Sequence, residues 1–324
     1  MTTSIQSVEI IIPLYNEAES VAAFHQQVCT AIADLSYRFL FTYVDDGSSD
    51  GTARILEQLQ QQDARVRIIE LSRNFGHQAA LSAGLDAADA DAVITMDGDG
   101  EHPPALIPQM LAQAEAGYDI VIAMRQEDQQ ASWVKRSTSS AFYWLINRVG
   151  DTRIIPGAAD FRLITRPVLD SLRQFHEYHR FLRGMVAWMG YRSIKLPYSP
   201  ARRIDGKSKF TFKKMFSLAN QAIFSFSLVP LYFVISLGGI FLLLALAEGL
   251  YVLSFWVSGQ QSGLAPGWSS LMFVLLIIGG TIMISLGIIG VYLGYIFQEV
   301  KRRPVYLVRR TLGRTQSSQP PLTP

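Results

Sequence analysis

Two long apolar segments in the C-terminal part restrict the folds open to this chain. Residues 228–257 contain one charged residue, Glu248, and residues 271–297 contain none. About 20 mostly apolar residues suffice for a helix to cross a bilayer, so the sequence predicts two transmembrane α-helices joined by a short uncharged loop. Basic residues precede the first segment and follow the second. Positive charges favour the cytoplasmic side, so both termini are predicted to be cytoplasmic, in a multi-pass protein of the cell inner (plasma) membrane.

Residues 1–205 have a different pattern, in which short apolar runs alternate with helical periodicity. Strands are predicted at 8–12, 39–44, 66–71, 92–96, 120–123 and 161–164, and helices at 18–35, 52–61, 78–88, 104–116 and 132–149. This order predicts one α/β domain with a mostly parallel sheet and right-handed crossovers. The N-terminus leads directly into a strand pattern, so no signal peptide is predicted. The only cysteine, Cys29, lies in a helical pattern and is interpreted as a buried core thiol.

Two carboxylates directly follow the fourth predicted strand. That strand ends in Asp97-Gly98-Asp99, and Glu101 lies two residues further on. Open α/β sheets bind ligands at the carboxyl ends of their strands. Three hard oxygen ligands without a Cys or His cluster suit Mg²⁺ or Mn²⁺, which one or two carboxylates hold together with substrate phosphates. A diphosphate substrate is therefore expected. The alternative is that Asp97 or Asp99 caps the helix that starts near Pro103.

Polar residues also follow the first three predicted strands. Tyr15 is placed to stack on a base and Asp46 to accept hydrogen bonds from a base or ribose, while one of residues 48–50 is expected to cap the next helix. His77 by itself is interpreted as a solvated loop residue rather than a catalyst. A dehydrogenase would have a glycine-rich turn after its first strand, and this chain has none there. The sequence therefore favours an enzyme that binds a sugar nucleotide.

Several segments carry a family resemblance. They are 8–17, 44–52, 74–78, 97–99 with 103–104, 160–162, 180–184, 203–209, and 225–227 with 230–231. Together they resemble family-2 glycosyltransferases of the GT-A fold. They are more closely similar to polyprenyl-phosphate glycosyltransferases, the group of bactoprenol glucosyltransferase and dolichol-phosphate mannose synthase. The resemblance implies an α/β fold: a GT-A (Rossmann-like), mostly parallel sheet domain, then an interfacial amphipathic helix and two transmembrane α-helices.

The resemblance also implies roles for individual residues. Pro13, Tyr15, Glu17, Asp46 and Asp97 would bind the nucleotide, and Asp97, Asp99 and Glu101 would bind Mg²⁺ or Mn²⁺ and the diphosphate. Asp160 matches the proposed catalytic base, Arg203 and Lys209 a loop that binds the leaving diphosphate, and Arg125 and Arg136 positions that meet the lipid phosphate. Asp97, Asp99, Asp160 and Arg203 form the implied catalytic set. Relatives usually have glutamine where this chain has Glu101, whose charge should tighten the binding of a hard cation.

Two predictions rest on the residues themselves. An acceptor monophosphate has a second pKa near 6 and is already ionised at neutral pH, so Asp160 need not be a base. We expect it instead to pair with Arg162, which lies two residues along the same strand face, or to orient the sugar. Residues 210–226 have apolar side chains at helical spacing with lysines between them. This pattern predicts an interfacial helix, with packing against the catalytic domain as the alternative.

The predicted domains are 1–205, a catalytic domain; 206–227, a basic loop and amphipathic helix; 228–300, two transmembrane helices; and 301–324, a cytoplasmic tail. The predicted function is inverting transfer of a single sugar, glucose from UDP-glucose, to polyprenyl (undecaprenyl) phosphate at the cytoplasmic membrane face. The alternatives are a processive polysaccharide synthase, which would need a membrane channel, and a non-catalytic sugar-nucleotide sensor, which could lose the metal carboxylates. A homo-oligomer is also predicted, because residues 305–308 could add as a strand to a neighbour. No nucleic-acid partner is predicted.

Overall fold

The computed structural model describes residues 4–125, 158–178, 180–198, 229–258 and 267–313. The chain divides into two compact units. One contains the N-terminal part together with Pro304–Pro324, and the other consists mainly of Ala219–Arg303. The predicted helices at 132–149 and 210–226 lie outside the described residues, as do the predicted site residues Arg136, Arg203 and Lys209.

Strands and helices alternate along the first unit. Its strands are β1 (Ser7–Leu14), β2 (Arg38–Asp45), β3 (Val66–Leu71), β4 (Ala92–Thr95), β5 (Ile120–Arg125), β6 (Ala158–Thr165), β7 (Ser193–Tyr198) and β8 (Val308–Leu312). Its helices are α1 (Val21–Ile32), α2 (Thr52–Gln62), α3 (His77–Ala87), α4 (Ile107–Glu115), α5 (Arg166–Leu172) and α6 (Leu182–Trp188), with a short 3-10 turn, Pro104–Leu106, before α4. The predicted strands β1 to β6 and helices α1 to α4 are confirmed to within a few residues at their ends.

The strands form one mixed sheet in the order β7-β5-β6-β4-β1-β2-β3-β8. β1 pairs in parallel with β2 and β4, β2 with β3, and β5 with β7. β6 runs antiparallel to β4 and β5, and β8 runs antiparallel to β3. The Rossmann-like α/β fold is confirmed. The sheet is mixed, with six of its eight strands running in one direction, as predicted for a mostly parallel sheet, and β6 and β8 running in the other. A crossover helix between two neighbouring strands makes the second strand parallel to the first. β6 and β8 follow long connections, which do not fix the direction of the next strand.

The strand β1 and the helix α3 form the centre of this unit. All eight residues of β1 are buried, as expected for a strand that is covered on both faces. Residues 79–85 of α3 are mostly alanine, glycine and serine, and all are buried. A Cβ atom on Gly84 would lie 2.3 Å from Cγ2 of Ile11, so only glycine permits this close packing. The contact fixes the start of α3, with His77, at the carboxyl end of the sheet.

The C-terminal strand β8 completes the sheet of its own chain. It pairs with β3, and the amide of Ser72 donates to the carbonyl of Leu307 at 2.8 Å. Arg309 and Arg310 both form ion pairs with Glu70, a carboxylate on β3 that is 7% exposed. Residues 305–308 were predicted to add to a neighbouring molecule. That prediction is wrong in its bounds and in its partner, because the strand begins at Val308 and pairs with β3 of its own chain. A homo-oligomer stays a prediction.

We expect a chain that ends at Leu307 to unfold at a lower temperature and to aggregate. The deletion exposes the edge of β3 and leaves Glu70 without the two arginines. Removing the partner of a buried charge costs about 3–5 kcal/mol. Thermal unfolding of the detergent-purified protein measures the effect, with a chain that ends at Gly313, and so keeps β8, as the control. Equal unfolding temperatures for the two truncated chains would contradict a stabilising role for β8.

The described part of the second unit consists of two long helices, α7 (Val229–Val257) and α8 (Trp268–Lys301). By length and composition, one stretch of the described helices, Ile277–Lys301, can cross a membrane, with a mean hydropathy of 2.0. Hydroxyl groups in α8 bond back to their own helix, as when Thr281 Oγ1 donates to the carbonyl of Ile277 at 2.8 Å. The predicted segments 228–257 and 271–297 fall on α7 and α8, but two transmembrane spans are not confirmed.

Candidate active site

The acidic turn, Asp97 to Glu101, follows β4 at the edge where the parallel strands end. The amide of Glu101 donates to Asp99 Oδ1 at 3.0 Å, and Glu101 Oε2 lies 3.6 Å from an Arg125 guanidinium nitrogen. The following 3-10 turn starts from Pro103 without a side-chain cap. The helix-cap alternative for Asp97 and Asp99 is therefore not what the structure shows. Both carboxylates stay at the edge of the sheet, where a ligand can reach them.

His102 holds this turn in place. Its side chain is buried, its Nδ1 atom accepts the amide of Asp97 at 2.8 Å, and its ring stacks on Phe161 with the ring centres 5.1 Å apart. Its Nε2 atom lies 3.8 Å from Asp97 Oδ2. A histidine directly before a Pro-Pro pair is not by itself a signal of burial, so this support could not be predicted from the pattern.

Asp160 lies at the start of β6, next to the end of β4, and several cationic or amide groups surround it. Arg162 donates to its Oδ1 atom at 2.7 Å, and Arg183 donates to Oδ1 and Oδ2 at 3.0 and 2.8 Å. Gln78 Nε2 donates to Oδ2 at 3.3 Å. Burial would raise the pKa of Asp160, but Arg183, a hydrogen bond from His77 and Arg162 hold that pKa well below its usual range. The predicted pairing of Asp160 with Arg162 is confirmed.

His77 connects the acidic turn to Asp160. Its Nε2 atom lies 3.5 Å from Asp97 Oδ1 and 3.4 Å from Asp160 Oδ2. Burial would lower the pKa of His77, but the carboxylates of Asp97 and Asp160 raise it to about 9. The side chain of His77 is 42% exposed, as expected for a solvated residue, but it also contacts two carboxylates, which that interpretation did not include. His77 is the first residue of α3 and lies between two carboxylates that are distant in sequence. The sequence pattern does not predict such a long-range contact.

The predicted nucleotide-binding residues lie on the neighbouring loops. Pro13 is buried at the end of β1, and Tyr15 beyond it is 43% exposed, as stacking on a base requires. Glu17 accepts a hydrogen bond from the Ser20 hydroxyl at 3.1 Å. Asp46 is buried, and its two oxygens accept the amides of Phe75 and Gly76 at 2.7 and 2.9 Å. Asp46 thus positions the loop before His77, and its contact with a nucleotide stays a prediction.

The N-cap residue of α2 is Gly51, without a side-chain cap, so none of residues 48–50 is the predicted cap; Asp50 instead binds groups on both neighbouring loops. Its Oδ1 atom accepts the amide and the hydroxyl of Thr52, at 3.0 and 2.6 Å, and its Oδ2 atom accepts the amide of Ala18 at 3.1 Å. Asn16 has a left-handed backbone, with φ of 54°, and its side-chain oxygen accepts the amide of Ser49 at 2.9 Å. These bonds tie the loops after β1 and β2 together.

We expect Gly47→Ala to lower stability more than Gly190→Ala does. Both glycines have left-handed φ values, +68° and +71°, so both substitutions incur a backbone cost of about 1–2 kcal/mol. A Cβ on Gly47 would also lie 2.5 Å from the Arg73 carbonyl carbon and 2.7 Å from the Asn74 nitrogen, whereas a Cβ on Gly190 meets nothing within 4 Å. Forcing the loops apart adds about 1–3 kcal/mol. Thermal unfolding and the KM for the nucleotide donor measure the two effects; equal losses would contradict the close approach of these loops.

The donor atoms of the site are hard oxygens on an open turn. In the part of the chain that the structure describes, three ligand atoms within 4.8 Å of one another occur at His25, Cys29 and Asp63, and not in the acidic turn. The side chain of Asp97 is 35% exposed. An open turn with two or three carboxylates fits Mg²⁺ or Mn²⁺ that takes its other ligands from substrate phosphates. The residues present therefore fit a divalent metal together with a diphosphate.

Several known proteins are similar to this chain in sequence. The family model described as glycosyl transferase family 2 matches residues 9–173. An uncharacterised glycosyltransferase of Synechocystis sp. is 39% identical over 94% of this chain and 95% of its own length. A prophage bactoprenol glucosyl transferase homologue of Escherichia coli is 33% identical over 94% and 98%. Bactoprenol glucosyl transferase of Shigella phage SfII is 32% identical over 94% and 98%. The structure of a mannosyltransferase of Pyrobaculum calidifontis was solved in complex with GDP-Man and Mn²⁺. It resembles the present chain distantly, with 17% sequence identity, 88% of each chain covered and a TM-score of 0.41.

Proposed function

The chain belongs to glycosyl transferase family 2, and we propose that it transfers one sugar from a nucleotide donor to a polyprenyl phosphate at the cytoplasmic membrane face. The bactoprenol glucosyl transferases, which it matches over nearly its full length, support this acceptor class and favour glucose from UDP-glucose as the donor sugar. The observation that carries the proposal is the junction at His77 between the acidic turn and the Asp160 cluster. One side of this junction suits a metal-bound diphosphate, and the other presents fixed positive charge.

The proposed reaction needs little proton transfer. The second pKa of an acceptor monophosphate is near 6, so its oxygen is already a nucleophile at neutral pH. This oxygen forms a bond to the anomeric carbon of the sugar, while the bond from that carbon to the nucleoside diphosphate breaks. The diphosphate leaves with the electron pair, and direct attack inverts the anomeric centre. The difficulty of the step is the repulsion between two phosphate-bearing substrates.

The described residues supply charge and orientation for this step. Asp160 holds the guanidinium groups of Arg162 and Arg183 in fixed positions, and such preorganised charge stabilises charge that develops in a transition state. Asp97, Asp99 and Glu101 would hold the divalent metal, which supplies charge neutralisation on the leaving diphosphate. Arg125, next to Glu101, is placed near the same group. In this proposal Asp160 positions cations and is not a base.

The membrane part of the proposal rests on α7, α8 and the basic residues around them. We place both helices across the membrane, with both chain ends cytoplasmic, because lysine and arginine precede the first apolar segment and follow the second. An interfacial helix at 210–226, outside the described residues, would bring the lipid phosphate to the soluble domain. This arrangement also favours transfer of a single sugar, since two spans per chain are few for a polymer channel.

A product assay tests the proposed function. Full-length protein in detergent is incubated with Mg²⁺ or Mn²⁺, undecaprenyl phosphate and a panel of radiolabelled nucleotide sugars. We expect a chloroform-soluble, acid-labile product from UDP-glucose, which is lost in Asp99→Ala and kept in Asp34→Ala, a change at an exposed carboxylate beyond α1. A polymeric product would favour the synthase. Donor binding without any lipid product would favour the sensor and would overturn the proposal.

A further inference from the structure

A second group of metal-ligand side chains lies outside the candidate active site. His25 and Cys29 are four residues apart on one face of α1, and Asp63 follows the last residue of α2. The Cys29 Sγ atom is 3.6 Å from His25 Nε2, and that nitrogen is 3.4 Å from Asp63 Oδ2. All three ligand atoms lie within 4.8 Å of one another. Cys29 was predicted to be a buried core thiol, but it is a half-buried free cysteine at the edge of this group.

These separations match those around a zinc ion. Zinc binds nitrogen at about 2.0–2.1 Å and sulfur at about 2.3 Å in tetrahedral geometry, which places neighbouring ligand atoms about 3.3–3.6 Å apart. The measured 3.6 Å from sulfur to nitrogen and 3.4 Å from nitrogen to oxygen fall within this range. Two of the three separations therefore already fit a single ion, and the third, from Cys29 to Asp63, is within 4.8 Å.

The imidazole of His25 is oriented for such a ligand role. Its Nδ1 atom is 2.8 Å from the hydroxyl of Tyr43, a fully buried side chain on β2. Histidines that bind metals use their second ring nitrogen in this way, because the hydrogen bond fixes both the tautomer and the ring direction. Nε2 is thereby directed toward Cys29 and Asp63.

Arg65 is the group that would compete with a cation. Its Nη2 atom lies 2.7 Å from Asp63 Oδ2 and 3.4 Å from Cys29 Sγ, and its Nε atom lies 2.9 Å from Asp63 Oδ1. The side chain is 46% exposed, so the guanidinium can turn toward solvent. Its Nε bond to Oδ1 can persist while Oδ2 binds a metal. The Arg65 guanidinium shows that a positive charge is stabilised beside Asp63 and Cys29. Replacing Arg65 with an uncharged residue should therefore strengthen the binding of a metal ion.

We propose that His25, Cys29 and Asp63 bind a zinc-class divalent cation, with water completing the coordination shell. A metal–sulfur bond replaces the S–H bond of Cys29, and the thiol proton passes to solvent. The bound ion would connect α1 to the end of α2, on different elements from the acidic turn. Because sulfur and imidazole select zinc over magnesium, the two sites would hold different ions. This proposal does not depend on the proposed glycosyl transfer.

Cobalt titration of the full-length protein in detergent, with a phosphine reductant, tests the site. Co²⁺ replaces Zn²⁺ in such sites, and bonding to a thiolate gives a charge-transfer absorption. Cys29 is the only cysteine of the chain, so this band reports the proposed site alone and cannot arise from the oxygen ligands of the acidic turn. We expect a band that saturates near one equivalent and disappears when Zn²⁺ is added.

Variants separate a built site from a lone reactive thiol. Cys29→Ser should abolish the band, and His25→Gln and Asp63→Asn should each weaken Co²⁺ binding, whereas His176→Gln, a change at an exposed histidine, should leave it intact. Arg65→Gln should strengthen binding. No band in folded wild-type protein whose thiol is titratable would overturn the proposal. A band that persists unchanged in both His25→Gln and Asp63→Asn would overturn it as well, because the thiolate would then bind the ion alone.

Discussion

Asp160→Asn is expected to lower turnover by about 10²-fold or more while the acidic limb of the pH–rate profile stays the same. Two arginines, Arg162 and Arg183, bind the Asp160 carboxylate, whereas asparagine would offer them one acceptor oxygen and no negative charge. Arg162 is only 5% exposed, so its charge would be left buried without a counter-charge. Leaving a buried charge without its partner costs about 3–5 kcal/mol of stability. Displacing groups around a reaction centre by about 1 Å costs about 10²-fold in rate. Steady-state kinetics from pH 5 to pH 9, about two units either side of neutrality, measure both features.

The pH–rate profile distinguishes a positioning carboxylate from a base. Ionisation of the acceptor phosphate, with a pKa near 6, gives an acidic limb that should persist in the variant. Asp170→Asn is the matched control, because Asp170 is exposed and pairs with Arg166 at 2.9 Å; exposed pairs contribute about 1 kcal/mol at most. If the acidic limb disappeared only in Asp160→Asn, the base role would be correct and the positioning role wrong.

Asp99→Asn is expected to abolish metal-dependent turnover, a loss of about 10³-fold or more. Catalysis in this proposal relies on charge neutralisation at the leaving diphosphate, and a metal clamp of this kind contributes several kcal/mol. Each 1.36 kcal/mol corresponds to about tenfold in rate. Turnover measured against Mn²⁺ concentration, at saturating donor, gives both the maximal rate and the apparent metal affinity. Raising the Mn²⁺ concentration should not restore the rate of Asp99→Asn.

Glu101→Gln is the matched control at the same turn. Glu101 lies 3.6 Å from Arg125, so its charge is already partly compensated, and Mg²⁺ or Mn²⁺ sites usually need only one or two carboxylates. We expect this variant to keep most of its maximal rate and to require more metal. Similar losses in Asp99→Asn and Glu101→Gln would contradict a leading role for Asp99. Full activity of Asp99→Asn without added metal would contradict the metal site altogether.

Local patterns in the sequence predicted the parallel core of the fold and the place of the site. β1 to β4 are mostly apolar and are followed by polar residues, so the common edge that carries Tyr15, Asp46 and Asp97 follows from strand direction. The pairing of Asp160 with Arg162 follows from the two-residue period of a strand. These features depend on short stretches of chain, which is why the sequence alone was sufficient.

Features that depend on distant contacts were missed. The partners Arg183 and Gln78 of Asp160 come from α6 and α3, and the sequence pattern does not show which helix meets which strand. The meeting of His77 with Asp97 and Asp160 has the same cause. The reversed directions of β6 and β8 follow long connections, for which no local rule fixes the return path. The sequence therefore predicted the sheet edge that carries the candidate site but not the network around Asp160.

The pairing of β8 with β3 also sets an order of events during synthesis. Arg309 and Glu70, which meet across this pair, are 239 residues apart. At roughly 5–20 residues per second, the ribosome needs on the order of 10–50 s to make the intervening chain. Throughout that time the nascent sheet lacks its edge strand, and both long helices, α7 and α8, leave the ribosome first. The catalytic domain is thus completed only after the apolar part of the protein has been made.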